Sequence, residues 1–369
     1  MTFSRSKKSA EVLQMAQTKR VTLQDIARQT GYSINTVSHA LRGKADISEQ
    51  TSARIRDVAR RMGYTANQVA SSLRSGRTHI FAVVLGGMSN PFYGIMADAI
   101  QDAAQAAGYS VMIMCSRDDA ELELRLVEQA IARCVDGILL FPTGRSGPTI
   151  ARLRAAGMPF VLMSRYLNEG EADSVVCDEA QGAYLATRHL IEAGRRKLAY
   201  ISSSTVVFSS QRRMAGFHRA CDEAGIPASD RCVYVASMNL MSGPGQESWH
   251  AALVGKLLAL RHQGFDGLFV FCDVEAWHAL DAMQKSGRFG ANDFGIASFD
   301  NIEGELSFPI PLCSVGYDFG EMTRAGIELL RGRIHGDARP PQIVVRPVSL
   351  ICRGSCRRGA NSQESTQLS

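Results

Sequence analysis

Between Val21 and Met62 apolar residues return every three or four positions in three short runs, each opened by a side chain suited to cap a helix. Thr22, with Asp25 three residues on, forms a capping box that predicts a helix through Arg28, and Gly31, free to take a positive φ, breaks it. Ser33 caps a second run, Ile34 to Leu41. Ser48 caps a third, to about Arg61, with Ile47, Ile55, Val58 and Met62 at helical spacing. From Ile80 the pattern changes. Short apolar runs, IFAVVL (80–85), SVMIM (110–114), GILLF (137–141), PFVLM (159–163), SVVC (174–177), KLAYIS (197–202), VYVAS (233–237), GLFVF (267–271) and FGIASF (294–299), alternate with helical stretches. The first of these is Pro91 to Ala107, capped by Asn90 and stopped by Gly108. Such alternation builds parallel sheets covered on both faces, and about ten units exceed one sheet, so two subdomains are expected.

Two short helices joined by a Gly-containing turn make a helix-turn-helix. Ile26, Ala27, Val37 and Leu41 supply a small shared core, which leaves Ile34, Asn35, Ser38 and His39 pointing outward from the second helix. The amino end of such a helix is where base edges are read, Asn suiting adenine and His a purine acceptor. Charge agrees with this placement. Residues 1–80 hold 14 Lys and Arg against 5 Asp and Glu, or +9, while residues 81–369 hold 27 against 31, or −4. A basic head on a mildly acidic body points to a polyanionic partner. On spacing alone a three-helix scaffold with a merely solvated face remains the alternative.

The strings VTLQDIARQTGYSINTVSHAL and ISEQTSARIRDVARRMGYTANQVASSLRSGRT resemble the DNA-binding head and hinge of the lactose-repressor (LacI/GalR) family from Val21 to Thr78, and T-x-x-D-I-A and T-V-S at that spacing are specific to such heads. The resemblance implies a double-stranded DNA operator read in its major groove by Ile34, Asn35 and His39. It places Thr22, Ser33, Thr36 and Asn67 at backbone phosphates. Asn67 to Leu73 corresponds to a hinge helix, with Val69 and Ala70 at its DNA-contacting positions and Leu73 as the wedge in the minor groove. A helix of about eight residues is too short to stand alone in water, so it orders only against a second protomer on DNA. Ala66 stands where the family commonly has proline, which leaves the hinge entry more mobile.

Parallel sheets hold ligands outside the carboxyl ends of their strands. Phe92, Tyr93, Ser164, Arg165, Asn239, Asp273, Asp300 and Tyr317 fall just past the runs, a polar lining suited to a polyhydroxylated or anionic small molecule. The resemblance extends here, to about Arg353, through SNPFY, GMPFVLMSRY, DEAQGAYLATRHLIEAGRRKLAYIS, QRRMAGF, SFDN and VSLICRGS. It implies the effector domain that the family shares with periplasmic sugar-binding proteins: two Rossmann-like parallel-sheet subdomains joined by crossovers near Val176, Ser314 and Gln342. The expected organisation is a leader (1–19), a helix-turn-helix domain (20–65), a hinge (66–79), an effector and dimerisation domain (80–358) and a tail (359–369). Subdomain 1 would hold 80–177 and 315–341, and subdomain 2 would hold 178–314 and 342–358. Phe92 and Tyr93 match the aromatic pair that stacks on the ligand, Arg165 and Arg213 the two arginines that grip its oxygens, and Asp300 and Asp273 acceptors in the second subdomain. Plain core for Phe92, a helix-capping role for Arg213 and a cap at Glu275 for Asp273 are the bland alternatives. Ser164, Cys272 and Tyr317 replace an aspartate, an asparagine and a glutamine of the sugar-binding pattern, which shifts the expected effector toward a sugar acid.

No stretch approaches the ~20 apolar residues that span a bilayer, and Met1 to Ala16 has no apolar h-region, so a cytoplasmic protein without a membrane partner is expected. The nine cysteines form no C-x-x-C pair, and His189, His218, His262 and His278 share no metal spacing, so neither metal nor cofactor is expected. There is no G-x-S-x-G, H-E-x-x-H, G-x-x-x-x-G-K-[ST] or G-x-G-x-x-G, so an enzyme is not expected. Of three classes, a ligand-controlled repressor, a free sugar receptor and a DNA-associated enzyme, the first fits best. No heptad zipper follows Arg353, which favours a homodimer over a tetramer.

Overall fold

In the computed structural model the described residues are 21–65, 76–166, 171–202, 208–235, 246–290, 293–302, 311–357 and 367–368. The expected leader, the hinge positions Asn67, Val69, Ala70 and Leu73, the pocket candidate Asn239 and most of the tail lie outside them. The chain divides into two compact units, Met1–Gly76 and Arg77–Ser369.

The first unit holds α1 (Leu23–Thr30), α2 (Ile34–Leu41) and α3 (Glu49–Arg61). Thr22 closes the expected capping box with Asp25, and Gly31 ends α1 with φ of 77°, two residues beyond the expected stop. Ile26, Val37, Ala40 and Ile55 are fully buried where the three helices meet, and Tyr32, Leu41 and Met62 pack around them.

The second unit is two lobes. The first is built from β1 (Ile80–Leu85), α4 (Pro91–Ala106), β2 (Ser110–Cys115), α5 (Ala120–Ala132), β3 (Gly137–Leu140), α6 (Gly147–Ala155), β4 (Phe160–Met163) and β5 (Ser174–Cys177). The second follows with α7 (Glu179–Glu192), β6 (Leu198–Ser202), α8 (Phe208–Glu223), β7 (Arg231–Val235), α9 (Gln246–His262), β8 (Gly267–Val270), α10 (Asp273–Ser286), β9 (Gly295–Phe299) and β10 (Cys313–Gly316). The chain returns to the first lobe for α11 (Phe319–Ile334) and β11 (Ile343–Arg346). It ends in the second with β12 (Ser349–Ile351) and β13 (Gln367–Leu368).

The first sheet runs β11-β5-β4-β3-β1-β2, parallel throughout. The second runs β13-β12-β10-β9-β8-β6-β7, parallel except that β12 opposes β10 and β13 opposes β12. Both faces are covered, which is why the strands read as continuous apolar runs instead of alternating ones. In β1, Phe81, Val83 and Leu85 pack with Met96 and Ile100 of α4 and Leu330 of α11, while Ala82 and Val84 face Val127 of α5 and Leu153 of α6. In the second lobe, Tyr200 and Phe269 pack against α7 and α8, whereas Ile201 and Val270 meet Leu257 of α9 and Ala279 of α10.

The third crossover differs from expectation. The IVVR segment pairs with β5, Ile343 opposite Ser174, so the chain leaves the first lobe after Arg346 and not near Gln342. Asp173 fixes this register: it takes two bonds from Arg333, at 2.6 and 2.9 Å, and one from the Gln342 amide at 2.8 Å. In the second lobe α7 and α8 approach unusually closely. A Cβ on Gly216 would stand 2.1 Å from the Ala180 carbonyl oxygen, so only glycine allows this spacing.

Candidate functional site

In the first unit, Ser33 Oγ accepts the Thr36 amide at 3.1 Å and lies 2.9 Å from the Thr36 hydroxyl, which fixes the first turn of α2. Just inside that cap Ile34 is 48% exposed, uncommon for a large apolar side chain, and Asn35 beside it is exposed. Ser38, expected to face outward, is buried: on an eight-residue helix it falls next to Val37 on the face packed against the core. It is removed from the DNA-contacting set. His39 is half-buried, and its Nδ1 lies 2.6 Å from an oxygen of Asp46, which orients the ring. The Thr22 hydroxyl is spent on Asp25 at 2.7 Å, so any phosphate contact there must share it. Sequence reasoning missed Asp46, whose only signal was an acidic residue in a basic loop.

The second unit gathers its chemistry at the carboxyl ends of the strands. Asn90 accepts the Phe92 amide at 3.0 Å and starts α4 with Pro91 behind it. That start sets Tyr93 across the Gly86 backbone, where a Cβ would meet its hydroxyl at 2.6 Å. Burial pushes the Tyr93 hydroxyl up to about 12, against the pull of Arg165, and the carboxylates of Asp118 and, in the other lobe, Asp300 add to the rise. Arg165 donates to the Pro142 carbonyl at 3.1 Å and stands 3.9 Å from Asp118. Beside it Ser164 holds φ of 62°, and its buried Oγ has no hydrogen-bond partner, an orphan that a ligand hydroxyl would satisfy.

Across from these, Arg213 lies in the middle of α8, which rules out a cap on its own helix. Its Nε donates to Glu179 at 2.5 Å, one terminal nitrogen to the Phe271 carbonyl and the other to Asp300 at 3.4 Å. The guanidinium is sandwiched by the Phe299 and Phe271 rings at 3.6 and 4.5 Å. Burial works against its charge, but Glu179 and Asp300 outweigh that and keep it protonated. Asp300 sits at φ of 101°, a conformation that a non-glycine residue adopts only under constraint. Burial pushes its carboxyl up to about 7 despite Arg213.

Asp273 departs from its expected role. It is the first residue of α10, and its oxygens take the Ser298 hydroxyl, the Ser314 hydroxyl at 2.6 Å and the Ile302 amide at 2.9 Å. These bonds tie α10 to β9 and β10 and leave it a structural tie, with no cap at Glu275. Tyr317 packs against the cores of both lobes, 4.9 Å from the Phe319 ring and 6.5 Å from Phe299, at a crossover. Phe92 lies 6.1 Å from Phe319 and borders the same aromatic line. The cluster therefore brings together Tyr93, Arg165, Arg213, Asp300 and Tyr317. Glu179 was missed because an acid in the first turn of a helix reads as an ordinary partner of the helix dipole. A separate cavity of about 290 Å³, bordered by Met158, Phe160 and Arg333, lies at the amino end of β4, away from this cluster.

Comparison with known proteins agrees with this layout. The model of bacterial regulatory proteins of the lacI family matches residues 22–67, and that of periplasmic binding proteins and the sugar-binding domain of the LacI family matches residues 78–243. A periplasmic binding protein-like domain matches residues 187–356. The HTH-type transcriptional regulator DegA of Bacillus subtilis is 32% identical over 345 residues, 91% of this chain and 98% of its own. The transcriptional repressor PurR of Aliivibrio salmonicida is 25% identical over 333 residues, 88% and 98% of the two chains. Among solved structures, the lac repressor dimer bound to operator and an anti-inducer superposes with a TM-score of 0.76 at 21% identity, covering 92% of this chain and all of that one. The regulator CelR in complex with cellobiose does so at 0.64 and 24%, covering 91% and all.

Proposed function

The chain belongs to the lacI family of bacterial regulatory proteins, DNA-binding transcriptional regulators, and from that premise we propose that it is a repressor whose hold on DNA is set by a small effector bound between the two lobes. The observation that carries this reading is the pairing, in one chain, of an exposed Ile34–Asn35 step at the amino end of a capped helix with a buried Arg213–Glu179–Asp300 cluster at a two-lobe crossover.

Asn35 and Ile34 read base edges in the major groove, with His39 oriented by Asp46 as a third reader and Ser33, Thr36 and Thr22 at phosphates. Two such heads in a homodimer bind a pseudo-palindromic operator in the cytoplasm. The effector is a polyhydroxylated metabolite, a sugar or a sugar acid. Its hydroxyls are received by Asp300 and Ser164, and its apolar face lies against the Phe92, Phe319 and Tyr317 rings. Arg213 is already matched by two carboxylates, so Arg165 is the cation that would select a carboxylated ligand, and the expected two-arginine clamp becomes one arginine. Tyr317 is the pivot about which the lobes adjust.

The test is selection of duplexes from a random pool by the full chain, followed by challenge of the selected complex with sugars and sugar acids. Enrichment of a two-fold symmetric sequence, and a ligand that alters its retention, is the expected result. No enrichment over random DNA would refute the DNA reading, and a symmetric site indifferent to every small molecule would refute the effector reading.

A further inference from the structure

The second lobe buries four potential metal donors that its sequence scatters over three segments. His189 lies in the last turn of α7, Cys313 opens β10, Cys352 follows β12, and Cys356 sits in the turn beyond it. The donor atoms of His189, Cys313 and Cys356 lie within 4.8 Å of one another, the one such convergence among the described residues. Cys352 Sγ is 3.8 Å from Cys313 Sγ. In a tetrahedral zinc site with Zn–S bonds of ~2.3 Å, two sulfurs stand about 3.8 Å apart. All three thiols are buried, and His189 Nε2 is buried with no hydrogen-bond partner. A nitrogen left in that state in a core calls for a partner.

From this geometry we propose that His189, Cys313, Cys352 and Cys356 form a closed Cys3His structural zinc site, with the Cys352 side chain turning in from Cys313 to complete the tetrahedron. The donors are anchored independently of any ion. Ser355 Oγ accepts the Cys313 amide at 2.8 Å and donates to the Ile296 carbonyl, which holds the 352–356 turn beneath β9 and β10. Arg195, almost fully buried, donates to the Cys356 carbonyl at 3.2 Å and to the Arg357 carbonyl at 2.8 Å. The Arg353 amide donates to Cys313 Sγ at 3.3 Å, the outer support that thiolate ligands use. Zinc with three thiolates carries a net −1, and Arg195 and Arg353 offset it. Loading releases the thiol protons, including the one that Cys356 now gives to the Ile296 carbonyl at 3.2 Å. A cross-strand Cys313–Cys352 disulfide is the competing chemistry, since the two residues are opposed in the β10–β12 register. It would leave His189 and Cys356 unexplained. The site lies at the far end of α7 from Glu179, ten residues or about 15 Å along the helix, and is therefore separate from the effector cluster.

The full chain, purified under reducing conditions and stripped with a chelator, is titrated anaerobically with cobalt(II) and then zinc. One cobalt per chain, with thiolate-to-cobalt charge-transfer bands and tetrahedral ligand-field bands that zinc abolishes, is the expected result. Cys356→Ser and His189→Gln should each weaken cobalt binding at least about 100-fold, beyond the ~10–100-fold effect of outer-shell changes. The exposed Cys134→Ser should change nothing. Thermal melting of each apo variant reports folding, and zinc should raise the melting point only where all four donors remain. The absence of cobalt bands in folded wild-type protein overturns the proposal. So does equal binding by Cys356→Ser, or a Cys313–Cys352 disulfide in protein handled without oxidant.

Discussion

Asp300→Asn separates the work of the effector cluster from the stability of its lobe. Burial holds the Asp300 carboxyl near 7 in the folded protein, whereas its ordinary value is 3.8. Across that window the folded form binds more protons than the unfolded chain, so stability falls as pH rises from about 4 to about 7 and then levels off. At 1.36 kcal/mol per unit, three units amount to about 4 kcal/mol, of which about 3 falls between about pH 5 and pH 8. Asparagine keeps the shape and hydrogen-bonding of the protonated acid but cannot ionise. The variant should therefore match wild type at about pH 5 and exceed it by about 3 kcal/mol at pH 8, in urea unfolding at unchanged m-value. Fluorescence of Trp277, packed on the core of the same lobe, reports the transition. The same variant should keep its operator affinity and lose its response to effector, because a destabilising buried charge is tolerated where a ligand needs it. Parallel pH curves for the two proteins, or a variant less stable at pH 8, would refute the reasoning.

Two further outcomes follow from geometry. Asn35→Ala should lose about 1–3 kcal/mol of discrimination at one base pair of each half-site while binding to random DNA stays nearly intact, as measured by competition anisotropy; a uniform loss on every sequence would move Asn35 to the phosphates. Gly216→Ala and Gly255→Ala, both within helices, should act in opposite directions. The first forces a methyl against the Ala180 carbonyl and costs about 1–2 kcal/mol net, while the second enters open space and stabilises by up to about 1 kcal/mol, read as urea midpoints. A common direction would show that helix propensity, and not α7–α8 spacing, governs both.

Where local chemistry decides structure, the sequence was readable. The Thr22–Asp25 box, the Ser33 and Ser48 caps and the Asn90–Pro91 start each act within one turn, and all appear as expected. The doubly covered strands announced themselves as unbroken apolar runs. What escaped is decided by distant partners. IVVR joins the first lobe because Asp173 and β5 receive it, and nothing within those four residues says so. CSVG and SLI are too short and mixed to read as strands. Ser38 shares with Asn35 its polarity and, three residues on, its side of the helix, yet it is buried where α2 meets the core. Asp273 is a motif residue whose oxygens are consumed by Ser298, Ser314 and Ile302. Of the four metal donors only Cys352 and Cys356 stand at a zinc-like C-x3-C spacing, and His189 and Cys313 join them only where α7, β10 and the turn after β12 meet in the folded lobe.

The return of α11 and β11 to the first lobe gives the chain a timetable. Residues 178–342 must be made between β5 and β11. At roughly 5 to 20 residues per second, that is a delay of about 8 to 30 s. The three-helix head, its core complete by Tyr64, can fold while the ribosome is still far upstream of the second lobe. The first lobe has to wait, its β5 edge unpaired and the Met163 face bare until Gly326 of α11 arrives to cover it. The second lobe is synthesised whole within that interval, so the order of birth is reader, half-built sensor, second lobe and then closure. A message cut short before Phe319 yields a DNA-reading head attached to a sensor whose first lobe lacks the helix and edge strand that complete it.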